Sequence, residues 1–221
     1  MTNAVRIGIV IYIILIAQGS ITVTTLYKKA KKSAELYSLL VCHLMLILWL
    51  FFAIIENLSI HTDFYLTALR ISLVPIMFIA STLMIFLLFY INKITKKNRF
   101  IIFIILLPNI LCYLPLLSDK YIYLIIDEMI ENHMVTRWGI LFYINLVISH
   151  IYFLTSSTII IYKSFRDRVS LKQGILFVLV ILFPASLNIL TGLGVIRSPG
   201  FDIVPVSFSF VLVAISLLVF K

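Results

Sequence analysis

Apolar residues fall in seven long runs, near residues 5–27, 36–57, 66–91, 99–117, 138–162, 171–194 and 203–220, each dominated by Ile, Leu, Val and Phe. A helix crossing the hydrocarbon of a bilayer needs about 20 such residues at about 1.5 Å rise each. The runs reach or approach that length, and little chain is left between them. Backbone amides cannot be left bare in hydrocarbon, and the runs are too long and too uniformly apolar for barrel strands, so helices are predicted. The expected fold class is an all-α membrane protein, a bundle of seven transmembrane helices forming a single domain over residues 1–221.

Polar residues between the runs are not evenly shared. Lys28, Lys29, Lys31 and Lys32 follow the first run, Lys93, Lys96, Lys97 and Arg99 the third, and Lys163, Arg166, Arg168 and Lys172 the fifth. With Lys221 these make thirteen of the 18 Lys and Arg residues, all on one side if each run spans once. Arg6, Lys120, Arg137 and Arg197 take the other side. The positive-inside rule then predicts an N-terminus outside and a cytoplasmic C-terminus, in a multi-pass protein of the plasma membrane. No basic segment or small-residue cleavage pattern marks a removable signal peptide, so the first helix is expected to stay.

The connection over 118–137 is longer than the rest. Ile122, Ile125, Ile126, Met129 and Ile130 recur at helical spacing opposite Asp127, Glu128, Glu131 and Asn132. That pattern predicts an amphipathic helix at the outer surface, a tether between spans in preference to a lid.

Composition agrees with this picture, since 62% hydrophobic and 12% charged residues leave too little polar surface for a soluble core. The net charge of +9 follows from the loop lysines and arginines, which removes any support for nucleic-acid binding. Cys42 and Cys112 lie within apolar runs and read as packing residues.

Polar groups inside the runs narrow the chemistry. Glu56 near the end of the second run and Arg70 about one turn into the third lie at similar depth, where they could form an ion pair. Pro75, Pro108 with Asn109, and Pro184 with Asn188 supply kinks and hydrogen-bonding groups. His150, with Asn145 and Ser149 on the same helix, and His43 read as helix-to-helix hydrogen bonders. No paired-His metal signature, Gly-rich phosphate loop, nucleophile elbow or retinal lysine occurs, so no catalytic residue, metal or cofactor is expected.

Phe183-Pro184-Ala185-Ser186-Leu187-Asn188, followed by Gly200-Phe201-Asp202-Ile203-Val204-Pro205 before the last run, resembles the closing part of the seven-helix N-terminal region of bacterial sensor histidine kinases. Trp49 with Glu56, Arg70 with Pro75, and the aromatic fifth run after Trp138-Gly139 are similar to the same pattern. The resemblance covers essentially the whole chain, with Asp202-x-x-Pro205 its most specific part. One departure is the opening of the fifth run, Arg137-Trp138-Gly139, where the family pattern has a Tyr-Gly-Pro type of start.

In that family the seventh helix leads to a cytoplasmic linker, a phospho-accepting His segment and an ATP-binding domain, none of which is found before Lys221. No residue therefore receives a kinase role, and the chain is expected not to be an enzyme. The resemblance implies a signal-sensing membrane module answering an extracellular or membrane-derived ligand, with a homodimer and a cytoplasmic kinase module or signalling partner as its associates.

Glu56, Arg70, Asn188 and Asp202 are the candidate ligand-facing residues, with Arg137 and Arg197 at the mouth. Asp202 also stands where a helix N-cap would. A small transporter and a non-catalytic assembly subunit are the alternatives, although neither the first nor the fifth run contains the Pro that one common carrier architecture requires.

Overall fold

The computed structural model describes residues 3–59, 62, 64–118, 124–130, 133–166, 171–192 and 202–220. Among the described residues, seven α-helices lie close to the predicted places: α1 (Asn3–Lys29), α2 (Ala34–Ser59), α3 (Tyr65–Tyr90), α4 (Phe100–Ser118), α5 (Ile140–Arg166), α6 (Leu171–Gly192) and α7 (Val204–Val219). By length and composition α1, α2, α3, α5 and α6 can each cross a membrane, while α4 and α7 are shorter apolar helices.

Consecutive helices pack side by side, and the chain closes on itself because α7 returns against α1 and α2. Contacts between α2 and α3 are the most extensive, and α3 also meets α5. Of the apolar stretch of α3, 67% is buried against 22% of that of α1, so α3 forms the interior and α1 the wall. Outward-facing apolar side chains such as Ile21, Phe103, Leu179 and Leu217 are exposed on the perimeter, as a hydrocarbon solvent requires.

The interior is held by aromatic contacts between helices distant in sequence. Phe208 of α7 lies 6.0 Å from Trp49 of α2 and 5.8 Å from Phe153 of α5, centroid to centroid. Tyr90 of α3 stacks between Phe86 and Phe177 of α6.

At the basic end, α3 stops where Asn92 adopts φ 57°, a left-handed conformation that Asn tolerates and that commonly closes a helix. Thr95 and Asn98 then cap a short 3-10 turn, Lys96–Asn98, reciprocally. This ordered turn presents Lys93, Lys97 and Arg99 on the surface.

The 118–137 connection departs from expectation. In place of an amphipathic helix the structure has an antiparallel hairpin, β1 (Leu124–Ile130) paired with β2 (His133–Trp138). Ile125 pairs with Arg137 and Ile130 with His133, with a bulge between Ile126 and Met129. The physical reason lies in residue type: Ile125, Ile126, Ile130, Val135, Thr136 and Trp138 are β-branched or aromatic. An isolated helix of about nine residues is also marginal in water. Ile122, Glu131 and Asn132 lie outside the described residues.

Candidate functional site

The start of α7 is fastened to α1 by a single side chain. Tyr12, fully buried in α1, donates its hydroxyl hydrogen to the carbonyl oxygen of Asp202 at 2.8 Å and accepts the Asp202 N–H at 2.7 Å. A buried phenol in an apolar helix needs partners for its hydroxyl, and the peptide group of Asp202 supplies both. Asp202 in turn uses Oδ1 to accept the N–H of Val204 at 2.9 Å, which satisfies one of the free amides opening α7. Asp202 makes this contact from one place before the N-cap, which is Ile203, so it holds the first amide of α7 without being the capping residue itself.

Glu56 joins this cluster from α2. Its carboxyl group lies near Ser72 on α3, whose hydroxyl donates to the Leu69 carbonyl oxygen at 2.9 Å, and near Asp202. Four helices therefore contribute to one polar patch: Tyr12 from α1, Glu56 from α2, Ser72 from α3 and Asp202 at the start of α7. Burial pushes the Asp202 carboxyl up to about 6, with the Val204 N–H pulling it back only in part.

Arg70 is not in the patch, and no ion pair joins it to Glu56 among the described residues. Ser72 follows Arg70 by two positions, a rotation of about 200° around the helix. The face of α3 that offers Ser72 to α2 consequently turns Arg70 away, toward the side of Met77, which packs with Cys112 of α4. Its Nε is buried there without a hydrogen-bond partner. Equal depth was readable in the sequence; the rotation about the axis decided the contact.

Asn188 is partly buried on α6, one turn beyond Ala185, and forms no hydrogen bond with Glu56, Arg70 or Asp202. The backbone of Arg137 pairs with Ile125 in the hairpin, and Arg197 lies outside the described residues. Tyr12 and Ser72 were absent from the expected set. A Tyr within the apolar stretch 7–17 of the first helix was the available signal for Tyr12, since a buried hydroxyl demands a partner.

Further polar ties cross the interior. Asn109 of α4 donates its amide to the Met77 carbonyl at 2.7 Å and to Asn145 Oδ1 of α5 at 2.9 Å. His43 Nε2 of α2 lies 2.9 Å from Ser216 Oγ of α7, and Ser216 donates onward to Leu212 O, so the His43 ring is the donor. His150 of α5 reaches the Ala185 carbonyl of α6. Both histidines join helices, as the sequence suggested.

A family model described as the N-terminal 7TM region of histidine kinase matches residues 9–221. Neither a curated protein nor a solved structure matches the chain.

Proposed function

The chain belongs to the family of N-terminal seven-transmembrane regions of histidine kinases, and we propose that it is the ligand-sensing membrane module of a two-component signalling system. In this reading it sits in the plasma membrane with its N-terminus outside and its C-terminus in the cytoplasm. The bias of Lys and Arg toward the loops after α1, α3 and α5 supports that orientation.

The observation that carries the proposal is the Tyr12–Asp202 latch with Glu56 beside it. It lies at the outer end of α7, whose other end faces the cytoplasm, where a kinase module or signalling partner would receive the output. A ligand with different affinity for the latched and released packings shifts the balance between them. Glu56 and Asp202 form the floor of the sensing site, while Arg70 and Asn188 act on neighbouring helices. Arg137 and Arg197 stay candidates for the mouth because of their places in the chain.

A fusion of residues 1–221 to a reporter kinase core tests this, with output recorded across extracellular extracts, peptide pools and lipids. A response that is lost in Glu56→Gln and Asp202→Asn supports the sensor and locates its site. A correctly inserted fusion that stays silent throughout overturns it.

A further inference from the structure

Three helices pack together beside Arg70, and none of them carries a carboxylate. Leu69, Leu73 and Met77 of α3 form a cluster with Cys112 of α4, against which Phe142 of α5 also packs. No Asp or Glu occurs in α3, α4 or α5. Arg70 is half-buried, and its Nε is enclosed without a hydrogen-bond partner. A guanidinium keeps its charge, and a charge within a membrane span is costly until an anion faces it.

The turn of the helix sets where that anion comes from. Successive residues rotate by about 100°, so Met77 and Leu73 stand about 20° and 60° from Arg70 on one side, and both are buried. Thr67 and Ile71 stand about 60° and 100° from it on the other side, and both are exposed. Arg70 thus occupies the border between the packed interior and the surface that meets lipid. It is one turn past Tyr65, the first residue of α3, a rise of about 7.5 Å that a long side chain spans to reach headgroups. Thr67, three positions before Arg70, is its neighbour on the helix surface and offers a hydroxyl.

We propose that Arg70 and Thr67 hold the phosphate of one anionic phospholipid at this border of α3. Swinging outward takes the side chain from a place where Nε has no acceptor to one where Nε and a terminal nitrogen face two oxygens of one phosphate, the pairing that suits a guanidinium fork. Exposed Ile71 beside it faces hydrocarbon, so an anion arriving on this side comes attached to an apolar body. A zwitterionic lipid brings a cation of its own and leaves the charge of Arg70 uncompensated, so the headgroup is net anionic. In the proposed orientation this lipid belongs to the outer leaflet. Ser72, near Glu56, lies on another face of α3, so the lipid site is separate from the sensing site and does not rest on it.

The test follows the Arg70 Nε–H signal by 15N NMR in residues 1–221, labelled at arginine, stripped of lipid and held in a neutral maltoside detergent. Arg70→Lys keeps the charge and assigns the signal by its loss, and Arg70→Gln repeats the assignment if the Lys variant folds poorly. Dioleoyl phosphatidylglycerol, dioleoyl phosphatidylcholine and inorganic phosphate are titrated separately. The expected result is a shift that saturates at a single phosphatidylglycerol per chain, with weaker binding of phosphatidylcholine. Thr67→Val should weaken phosphatidylglycerol binding about tenfold, the equivalent of one hydrogen bond to a charged group. A shift that never saturates, and is the same for both lipids, marks a side chain that snorkels among bulk headgroups and overturns the proposal. So does inorganic phosphate that moves the signal as strongly as the lipid, since the anion then comes from water. A signal that moves in lipid-free protein on changing Asp63→Asn, Asp127→Asn and Glu128→Gln together also overturns it, because the chain then supplies the anion itself. None of these readouts depends on kinase output, so failure here is distinguishable from failure of the sensor reading.

Discussion

Tyr12 and Asp202, 190 residues apart in the chain, exchange two hydrogen bonds through the peptide group of Asp202. The first helix thereby fixes where the last one starts. Tyr12→Phe keeps the ring in its place and removes both bonds, leaving a partly buried N–H and carbonyl without partners. Such a loss costs about 1–3 kcal/mol. For a chain of this size that is a fall of roughly 2–4 °C in melting temperature per kcal/mol, readable by thermal unfolding in detergent. An unchanged melting temperature would show that the latch contributes nothing to the bundle.

Asp202 makes stability depend on pH with a definite sign. Burial raises its carboxyl from 3.8 to about 6. A group that holds its proton more tightly in the folded state contributes stability that is complete below the unfolded value of 3.8 and is lost as pH rises through about 6. Wild-type melting temperature should therefore fall across that window. Asp202→Asn still offers an oxygen to the Val204 N–H but cannot ionise, so its profile should be flatter there. Identical slopes for the two proteins would remove Asp202 as the cause.

Hydropathy alone placed the seven helices, because the bilayer imposes one length and one polarity on every span. The same uniformity hides which face of each helix meets which neighbour. Glu56 and Arg70 sit at matching depth, yet the two-residue offset between Arg70 and Ser72 puts the serine, and not the arginine, on the side of Glu56. Tyr12 signalled a need for a partner, but that partner, a backbone group 190 residues along the chain, was not readable from the sequence. Where the chain leaves the bundle, at 118–137, the bilayer no longer dictates structure, and β-branched residues at helix-like spacing formed strands. His43 and His150 as ties between helices were legible because each follows from local chemistry, and Asp202, placed one residue before the N-cap Ile203, still takes up the Val204 N–H.

Gly174 sets how closely α5 and α6 approach at their basic ends. A Cβ built there would overlap Ser164 Oγ and stand 2.7 Å from Ser164 Cβ. Both residues are buried, so neither side can swing away freely. Gly174→Ala should destabilise the protein by about 1–3 kcal/mol, as overpacking does. Because the overlap involves Cβ as well as the hydroxyl, Ser164→Ala should fail to rescue it and Ser164→Gly should succeed. Melting temperatures of the two double variants decide this, and equal rescue by both would place the strain elsewhere.

Asn109 ties three helices with one amide, giving one N–H to the Met77 carbonyl and the other to Asn145 Oδ1. Its own Oδ1 is buried without a hydrogen-bond partner, so the group is held for what it donates. Asn109→Leu removes both donated bonds but also the unsatisfied oxygen, which offsets part of the loss. Asn145→Ala leaves the amide of Asn109 with one donor unpaired. The double variant should lose less than the two single losses added together. Coupling between polar side chains in membrane bundles runs at about 0.6 kcal/mol and reaches about 1.7 kcal/mol. A cycle measured by denaturation in detergent should fall in that range, with Asn145→Ala losing its effect once Asn109 is Leu. Strict additivity would mean that the two amides do not meet in the folded protein.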